Sequence, residues 1–509
     1  MRSREAYLAA RVLNALLRED YGRLSARVGR SRSGVGLTLA DGRLVRLATG
    51  APFQDFVVAP GQQLGLEQVL ETLAELADPQ DAAGVAAFFE ECVAALAALE
   101  LHDAHLPDVL ARKPSYESLA AFADHPVYPT SRARQGLSEA DLLAYAPEFA
   151  PSFELRWAAV PRRMLEPGSA LGLPADVRTW EPGSALALPA DVRTRELPDG
   201  EVLFPVHPLT VGEVRGIDGV RVLEEARVTV RPTLSMRTVE IDARTHLKLP
   251  LPTSTLGLRN RRSIKAGTLR DGARAELLLR ALADSDVLIA DEQSHAHAGH
   301  EYLAWMVRRL PAGKVVPVAA LAIPGVLAEL GDVLPAYLRL LLRWNVRLFV
   351  EYGVALEAHQ QNLSLVFTGE GMKLLVKDND GLLASPARLA AAGVAVPEFG
   401  DPRMLTDDPH ALADVFVTIT LHLAAAAIAF GALPHARAAA LLRDTLAEAL
   451  NGYGDDPMAR LLRARTLDAA RLTGKSMVTA GTLVAKERTG AADVNKFYGT
   501  SGPNYLRRA

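Results

Sequence analysis

Apolar residues recur at intervals of three and four through most of residues 1–150, as they do along the buried face of an α-helix. Clear examples are LEQVLETLAELA and AAGVAAFFEECVAALAALELHDAHL. A hairpin pattern, GVGLTLADGRLVRLA, interrupts them, because its central Asp41-Gly42 pair favours a tight turn. We therefore predict a mainly helical N-terminal part that contains one hairpin.

The pattern changes between residues 200 and 265, where apolar and polar residues alternate and β-branched residues are frequent. Helical spacing returns at 272–286 and 326–356, and again in the Ala- and Leu-rich stretch 385–485. Helices, then strands, then helices are typical of an α+β fold and not of an alternating α/β sheet.

A tandem duplication stands at the start of the strand-rich part. EPGSALGLPADVRTW at 166–180 is followed directly by EPGSALALPADVRTR at 181–195, and the two copies differ at only two positions. Two copies are too few for a repeat fold, and both contain Pro and Gly. We predict a surface loop and assign it no function.

Composition excludes several classes of function. A chain of 509 residues exceeds one simple core, so two or three sub-domains are expected. The formal net charge of −4 leaves no basic excess for nucleic acid as the main partner. A single cysteine, Cys92, and an N-terminus without an uncharged signal-peptide core favour a cytoplasmic location. The uncharged stretch 415–433 is rich in small residues and contains His422, which predicts a buried helix and no membrane span.

One predicted hairpin carries polar residues at both ends. Its strands are 363–367 and 372–377, joined by a TGEG turn centred near Glu370, which would place Asn362 opposite Asp378. The residues expected to meet at its open end are Glu357, His359, Gln361, Asn362, Lys377, Asp378 and Asp380. Carboxylate and amide oxygens are ligands that Mg²⁺ takes beside nucleotide phosphates, so we predict a magnesium site there. A capped hairpin whose polar ends only face water is the alternative.

A second concentration of polar residues lies in the stretch 232–267. Its cations and hydroxyls are Ser235, Arg237, Thr238, Lys248, Ser254, Thr255, Arg259, Arg261, Arg262 and Lys265. Arginine binds phosphate or carboxylate through paired hydrogen bonds, and lysine supplies a mobile point charge. Alternation in HLKLPL puts His246 and Lys248 on the strand face opposite the leucines, so Lys248 is predicted to face a cleft. A solvated basic loop is the alternative for 259–265.

A cationic strand face and an Asp/Asn hairpin together favour nucleoside triphosphate chemistry, in which positioning and charge neutralisation supply most of the catalysis. No G-x-x-x-x-G-K-[ST] motif occurs, so the site is not a P-loop. A kinase-like small-molecule phosphotransferase releasing ADP stays open as an alternative, although H-R-D-x-x-x-x-N and D-F-G are missing. A non-enzymatic metal-binding protein using His295, His297 and His300 is another, but we expect these histidines to lie in a solvated loop.

Taken together, these motifs resemble the NRPS-independent siderophore synthetases, the aerobactin synthetase-like family. The matching segments are S-M-R-T at 235–238, K-L at 248–249 with T-x-x-x-R at 255–259, E-A-H-Q-Q-N at 357–362 and K-D-N-D-G at 377–381. FPVHPLTVGE at 204–213 is similar to the family's H-P-W-Q element. The resemblance covers roughly residues 200–385 by motif.

The resemblance implies a cupped-hand architecture with a helical thumb, sheet-rich fingers and a helical palm. On this chain the implied divisions are a thumb at 1–165, the duplicated insertion at 166–195, fingers at 196–355 and a palm with the metal-binding hairpin at 356–509. The implied reaction is ATP-dependent adenylation of a carboxylate of citrate or a citrate-like polycarboxylate. An amine or alcohol then attacks to form an amide or ester, and AMP and pyrophosphate are released. ATP and Mg²⁺ are the implied cofactors, and a homodimer is the implied assembly.

The resemblance also implies residue roles. ATP would be bound by Ser235, Arg237, Thr238, Lys248, Gln361 and Asn362. The polycarboxylate would be bound by Thr255, Arg259 and His359, the catalytic residues would be His359, Arg259 and Lys248, and the metal ligands would be Glu357, Asp378 and Asp380. We add the hypothesis that neutral His359 removes a proton from the amine.

The chain departs from the family pattern at three places. Leu209-Thr210 replaces the usual Trp-Gln, and Lys377 replaces the usual Arg. The spacing after Lys248 is about one residue short, so Arg259 and Arg261 are alternatives for the substrate-binding arginine.

Overall fold

The computed structural model describes residues 3–32, 34–50, 52–167, 200–490 and 496–507. The duplicated stretch lies almost entirely outside these residues, so the surface-loop prediction stays a prediction.

The N-terminal part packs helices on a small antiparallel sheet. Its helices are Arg4–Glu19, Leu66–Leu76, Ala82–Ala111, Tyr116–Ala120 and Glu139–Tyr145. The sheet consists, in order, of Val28–Ser31, Gly34–Thr38, Leu44–Thr49 and Phe56–Val58. Thr38 pairs with Leu44, which centres the turn on Asp41 and confirms the predicted hairpin. The first long helix begins at a Ser3 side chain that accepts a hydrogen bond from the backbone N–H of Ala6, satisfying one of its free donors.

A seven-stranded antiparallel sheet forms the middle of the protein. Its order is Asp291–His297, Ala304–Arg309, Thr245–Lys248, Thr238–Asp242, Arg221–Pro232, Phe153–Pro161 and Glu201–Val206. The strands predicted between residues 200 and 265 are confirmed. Phe153–Pro161 lies inside the predicted helical thumb, so that part is not wholly helical. Alternating apolar residues of this sheet, including Trp157 and Trp305, form its buried core.

A four-stranded sheet carries the predicted polar hairpin. Its order is Val287–Ile289, Gly371–Val376, Leu363–Thr368 and Lys314–Pro317, and the first pair is parallel. Leu363 pairs with Val376, so Asn362 stands opposite Lys377 and not opposite Asp378 as predicted. The difference of one residue arises because the turn is centred between Gly369 and Glu370 and not on Glu370.

The chain passes from one sheet to the other at a single residue, Ala290. Val287–Ile289 ends the four-stranded sheet, and Asp291–His297 begins the edge of the seven-stranded sheet. The Ala290 N–H donates to the carbonyl of Val376, the last residue of the hairpin. The end of the hairpin is therefore held beside the edge of the larger sheet.

Helices complete the molecule. They are Val211–Arg215, Thr268–Leu282, Val326–Leu330, Leu334–Arg347, Pro386–Ala391, Pro409–Val415, Ala427–Ala432, His435–Asn451, Pro457–Thr466 and Lys486–Thr489, with π-helical turns at Leu348–Tyr352, Phe416–Ala426 and Thr479–Leu483. Two short strand pairs, Val354–Ala355 with Leu383–Ala384 and Arg471–Gly474 with Thr500–Pro503, connect them. The helix predicted to run to residue 356 ends at Tyr352, where Gly353 takes a left-handed conformation.

Two helical stretches, Pro79–Ala111 and Pro409–Ala432, are long and apolar enough to cross a membrane by length and composition alone. In the second, every residue of Phe416–Ala426 is buried within the protein. Such burial is typical of a core helix, and it confirms the prediction of a buried helix around His422.

Candidate active site

The two polar segments predicted to share a site are in contact. The Lys248 Nζ donates to Asp378 Oδ1 and lies 3.7 Å from Asp380 Oδ2, although 130 residues separate Lys248 from Asp378. Lys248 is only 2% exposed, and Thr238 lies directly opposite it in the ladder, on the same sheet face. The prediction that Lys248 meets the acidic end of the hairpin is therefore confirmed, whereas the cleft in front of Lys248 stays a prediction.

Asp378 is anchored from the edge of the larger sheet. Its backbone N–H donates to both carboxylate oxygens of Glu292, at 3.0 and 3.2 Å. Arg308 Nε donates to Glu292, and Arg308 Nη2 lies 3.8 Å from Asp378 Oδ1. Asp378 has φ 62, in the left-handed region, which costs roughly 1 kcal/mol for a residue with a side chain. The hydrogen bonds to Glu292 and the attraction of Lys248 and Arg308 offset that strain.

The protonation of this cluster follows from its charges. Burial opposes ionisation of Asp378, but Lys248, Arg308 and Arg237 outweigh it and lower the pKa of Asp378, so the carboxylate is charged. Burial raises the pKa of Glu292, and Asp378 adds to that effect while Arg308 opposes it. Two carboxylates therefore share two fully buried cations.

Lys377 faces the N-terminal part of the chain. Its Nζ lies 3.6 Å from Glu117 Oε1, and Glu117 Oε2 accepts a hydrogen bond of 3.0 Å from the N–H of Leu234. Burial lowers the pKa of Lys377, and Glu117 opposes that shift. Lys377 therefore ties the hairpin to Glu117, while Asp378, in its left-handed conformation beyond the strand, faces Lys248.

The S-M-R-T segment forms a tight turn beside Lys248. Ser235 Oγ accepts from the Thr238 N–H at 3.1 Å, and Met236 has φ 62. Arg237 Nη1 donates to the Ser263 carbonyl at 3.1 Å and lies close enough to Asp378 to lower its pKa. Ser235, Arg237 and Thr238 therefore lie beside Lys248, which is predicted to bind the phosphates.

The three arginines of R-N-R-R point in different directions. Arg259 Nη1 donates to the Ala480 carbonyl at 2.9 Å, so it faces the C-terminal π-helical turn. Arg261 is exposed and forms an ion pair of 2.7 Å with Glu301. Arg262 donates to Thr255 Oγ1, and burial together with Arg237 lowers its pKa to about 9. Arg262, and not Arg261, is thus the second arginine that joins the basic cluster.

The loop 357–362, here called the polar loop, is folded by its own hydrogen bonds. Asn362 Nδ2 donates to the Glu357 carbonyl at 3.2 Å, and the Gln361 N–H donates to His359 Nδ1 at 3.3 Å. The Glu357 carboxylate lies against Gly381, where a Cβ would come within 2.3 Å of Glu357 Oε2. A side chain at position 381 would therefore displace the Glu357 carboxylate from its present position.

A cavity of about 750 Å³, here called the polar cavity, opens beside these residues. Glu357 and Asp380 line it, and its cationic lining residues are Lys265, Arg270, Arg403 and Lys496. The helix Thr268–Leu282 begins at its wall, and a helix N-terminus favours anions. The lining thus offers cations for phosphates and five carboxylates, of which Glu357 and Asp380 are the predicted metal ligands.

Two of the three predicted metal ligands, Glu357 and Asp380, line this cavity. Mg²⁺ is commonly held by one or two carboxylates together with substrate phosphates, and Glu357 and Asp380 supply two. Asp378 is instead engaged by Lys248. Among the residues that the structure describes, no three His, Cys, Asp or Glu side chains converge closely enough to hold an ion by themselves.

The prediction of a solvated histidine loop is wrong for His295 and His297. His295 and His297 lie on the strand Asp291–His297 and are only 2% and 3% exposed. His297 Nδ1 lies 3.1 Å from Glu166 Oε1, and its Nε2 lies 3.1 Å from the carbonyl of Ile264. Sequence reasoning missed this strand because Ala296 is its only apolar residue, so no alternation of apolar and polar residues indicates it.

Several residues of the site were missed by sequence reasoning. They are Glu117, Glu292, Arg308 and Lys475, and Arg262 was noted only as one cation among many. Alternation in AWMVRR places Arg308 opposite Trp305 and Val307, which could have indicated its sheet face. No local pattern distinguishes Glu117 or Glu292.

Comparisons with known proteins identify similar sequences and structures. A model of the IucA / IucC family matches residues 115–323, and one described as ferric iron reductase FhuF-like transporter matches residues 334–487. Staphyloferrin B synthase of Staphylococcus aureus is 25% identical over 334 residues, which are 56% of this chain and 56% of that enzyme. The L-2,3-diaminopropanoate–citrate ligase of the same organism is 30% identical over 142 residues, 26% of this chain and 23% of the ligase. The chain therefore spans little more than half the length of the curated relatives it matches.

The similarity in fold covers almost the whole chain, beyond the residues that match in sequence. The structure of ATP-bound aerobactin synthetase IucA from a hypervirulent Klebsiella pneumoniae has a TM-score of 0.69 and 18% identity, with 99% of this chain and 100% of that chain covered. The mixed helix-and-sheet fold is thus that of the siderophore synthetases. The match of the IucA / IucC family model to residues 115–323 and the similarity to these synthetases confirm the resemblance carried by the motifs.

Proposed function

We propose that the chain is an ATP-dependent siderophore synthetase. It adenylates a carboxylate of citrate or a citrate-like polycarboxylate and joins it to an amine or alcohol, releasing AMP and pyrophosphate. The observation that carries the proposal is the contact of Lys248 with Asp378 and Asp380, which brings a cationic sheet face to the acidic end of the hairpin. The named activities of the matched relatives, one of them a citrate ligase, support the same reaction class.

Phosphate binding is assigned to the cations around Asp378. Lys248 and Arg237 would bind the triphosphate oxygens, and the Ser235–Thr238 turn would offer hydroxyl groups beside them. As negative charge grows on the transferred α-phosphate, these buried cations stabilise it more than water could. Mg²⁺ would supply further charge neutralisation when bound with the phosphates, held by Glu357 and Asp380.

Carboxylate binding is assigned to Arg262, Thr255, Arg259 and His359. The His359 Nδ1 accepts the Gln361 N–H, so in the neutral ring the proton is on Nε2, which is a donor. Burial, with a further effect of Lys475, lowers the pKa of His359 to about 4. A neutral donor suits a substrate carboxylate, whereas proton removal would require an unfavourable imidazolium ion. We therefore assign His359 to substrate binding in preference to the base that its sequence position suggested.

In the second half-reaction the nucleophile displaces AMP, and no other part of ATP takes part. The amine nitrogen, or an alcohol oxygen, attacks the acyl carbon, the bond from that carbon to the phosphate oxygen breaks, and AMP leaves with the electron pair. The proton lost by the nucleophile passes to solvent or to the departing phosphate.

The test is the identity of the nucleotide product. Incubation with ATP, Mg²⁺, citrate and hydroxylamine should give AMP, pyrophosphate and a citryl hydroxamate, because hydroxylamine traps an acyl adenylate. A panel of other polycarboxylic acids identifies the preferred acid. ADP as the nucleotide product would show phosphotransfer and contradict the proposal.

Three further features belong to this proposal. These are the cupped-hand arrangement of thumb, fingers and palm with the divisions given above, the homodimer and the cytoplasmic location. Light scattering of the purified chain tests the dimer directly.

A further inference from the structure

The loop 253–262 carries three of the four residues assigned to the carboxylate, Thr255, Arg259 and Arg262. Its base is held by backbone pairing, since the Leu251 N–H donates to the Arg262 carbonyl at 3.0 Å and the Arg262 N–H donates to the Thr253 carbonyl at 2.9 Å. The tip of the loop, residues 256–259, lies beyond this pairing. What holds the tip therefore decides the position of the arginine that it carries.

The tip has a backbone conformation that needs support. Leu256 has φ 56 and Gly257 has φ 112, so two successive residues lie in the left-handed region. For Leu256, which has a side chain, this conformation costs roughly 1 kcal/mol. The next residue, Leu258, is 43% exposed and adds little burial of its own. Contacts with another part of the chain therefore hold the tip in place.

The π-helical turn Thr479–Leu483 supplies these contacts. The Arg259 N–H donates to the Gly481 carbonyl at 3.1 Å, and Arg259 Nη1 donates to the Ala480 carbonyl at 2.9 Å. A Cβ at Gly257 would lie 2.9 Å from the Cα of Gly481, so the two backbones are in direct contact. A guanidinium has five N–H donors, and those that the turn does not use can still bind a carboxylate.

Thr482 joins the tip of the loop to a buried carboxylate. Its Oγ1 accepts the Leu258 N–H at 3.1 Å and donates to Glu91 Oε2 at 3.0 Å. A hydroxyl has one proton, so the bond to Glu91 directs that proton away from Leu258 and leaves an oxygen lone pair for its N–H. Glu91 therefore fixes the direction in which Thr482 holds the loop.

Glu91 is itself fixed by the N-terminal part of the chain. It lies on the helix Ala82–Ala111, is 1% exposed, and accepts from Thr130 Oγ1 at 2.6 Å and from Gln135 Nε2 at 3.3 Å. Burial raises the pKa of Glu91, and its hydrogen bonds oppose that shift. A buried carboxylate held by such neutral donors is a poor source of stability, which points to the orientation of its partners as its role.

The same hydrogen-bond network reaches the base of the loop. The Gln135 N–H donates to the Ser254 carbonyl at 3.2 Å, and Thr253 Oγ1 donates to the Gln135 carbonyl at 2.7 Å. Glu91 is therefore linked to the base of the loop through Gln135 and to its tip through Thr482.

We propose that Glu91 is a positioning residue for the carboxylate site: through Thr482 it holds the tip of the 253–262 loop so that Arg259 faces the polycarboxylate. Glu91 acts through Thr482 and not by contact with the substrate. The inference rests on the proposed function, because it concerns the binding of the carboxylate that is adenylated.

The main variant is Thr482→Val, which keeps the branched shape of threonine and removes the hydroxyl group. AMP release with ATP, Mg²⁺, citrate and hydroxylamine gives the two KM values. The KM for citrate should rise about tenfold or more, because a misplaced arginine binds the carboxylate poorly, while the KM for ATP should stay within about twofold. Thr482→Ser restores the hydroxyl and should return the KM for citrate to within about twofold of the wild-type value. An unchanged KM for citrate in Thr482→Val would overturn the proposal.

Glu91→Gln tests the carboxylate. An amide replaces one carboxylate oxygen by an N–H donor, which then faces the hydroxyl of Thr130 or of Thr482, so the KM for citrate should again rise. Because both residues act through one contact, the double variant should show a KM for citrate no larger than that of Thr482→Val alone. Glu90→Gln, on the exposed face of the same helix, is the matched control and should change neither KM. Effects that multiply in the double variant would contradict the proposal.

Hydrogen exchange follows the loop without any reaction. The peptide that covers residues 256–260 should exchange slowly in the wild-type chain, although Leu258 is exposed. It should exchange about tenfold or more faster in Thr482→Val, and as in the wild type in Thr482→Ser. Rapid exchange of this peptide in the wild-type chain would overturn the proposal, whether or not the variants fold.

The two proposals fail differently. If hydroxylamine trapping with citrate gives no AMP in the wild-type chain, the proposed adenylation is wrong, while hydrogen exchange still reports on the loop. If trapping succeeds and Thr482→Val keeps its KM for citrate, only the positioning role is wrong.

Discussion

The ion pair between Lys248 and the acidic segment is the contact on which the site depends. Lys248 is buried and lies between Asp378 and Asp380, so the cation neutralises two carboxylates until phosphates arrive. Removing one partner of a buried ion pair leaves uncompensated charge, which is strongly destabilising. At the residue scale, binding and stability are therefore linked at this lysine.

Lys248→Ala should abolish adenylation and lower stability. Loss of the cation removes a phosphate ligand and the nearest positive partner of Asp378 and Asp380, with an expected cost of about 3 kcal/mol in unfolding free energy. AMP release and urea denaturation measure the two effects. Lys373→Ala, on the same hairpin and paired with exposed Glu370, is the control and should change neither. Normal AMP release by Lys248→Ala would contradict the assignment.

Gly381→Ala tests the close approach of Glu357. A methyl group there would lie 2.3 Å from Glu357 Oε2, so the carboxylate must move out of the polar cavity. We expect the apparent affinity for Mg²⁺ to fall about tenfold or more, measured as the Mg²⁺ dependence of AMP release. Gly369→Ala meets no atom within 4 Å and should leave that dependence unchanged. An identical Mg²⁺ dependence in both variants would exclude Glu357 as a ligand.

His359 variants distinguish a donor from a base. Glutamine can donate a hydrogen bond but cannot take a proton, so His359→Gln should keep markedly more activity than His359→Ala. Because the pKa of His359 is about 4, the wild-type rate should show no step near pH 6.5 that depends on this residue. The measurements are KM for citrate and the pH profile of AMP release. Equal loss in both variants would favour the base instead.

The hairpin Leu363–Val376 acts at the element scale by fixing which side each following residue faces. Its register places Lys377 toward Glu117 and Asp378 toward Lys248. A shift of one residue would exchange the two directions, because side chains alternate along a strand. The same element explains why Glu292 is needed, since that residue anchors Asp378 where the strand pairing has ended.

Insertions in the hairpin test this role. One glycine inserted between Gly369 and Glu370 lies in an exposed turn and should leave AMP release within about twofold. One glycine inserted between Val376 and Lys377 should abolish it, because Lys377 and Asp378 would exchange faces. Circular dichroism shows whether both variants fold. Comparable activity in the two would mean that the register does not position the site.

At the scale of the whole molecule, buried histidines couple folding to pH. Burial lowers the pKa of His102 and His422 to about 4, and of His207 and His246 to about 3. All four are less than 7% exposed. The unfolded chain, with an ordinary pKa near 6.5, binds more protons between these values, so stability is present above pH 6.5 and is lost as pH falls toward 4.

The unfolding midpoint in urea should therefore be clearly lower at pH 5.0 than at pH 7.5. Each of these histidines contributes up to about 2 kcal/mol to the difference. His207→Phe should reduce it, because His207 lies between the rings of Tyr145 and Phe153 and offers only Nδ1, to the Leu209 N–H. A midpoint that does not change between the two pH values would contradict the prediction.

The sequence by itself determined the local elements. Periods of two and of 3.6 residues located the strands between 200 and 265, the hairpin and the buried helix around His422, because these periods are properties of each element alone. The same alternation placed Lys248 away from the leucines. In any hairpin the start of the first strand lies beside the end of the second. The sequence therefore predicted that the polar loop and residues 378–380 are neighbours.

Only the tertiary structure decided which faces meet. The passage of the chain between two sheets at Ala290 brings Glu292 to Asp378, and the crossing of distant strands brings Arg308 and Lys248 to the same place. Rotation of each side chain selected Arg262 over Arg261. Arg18, Phe53 and Gln360, from three distant segments, line one cavity. Such contacts depend on how whole elements pack, and neighbouring residues in a sequence carry no record of that packing.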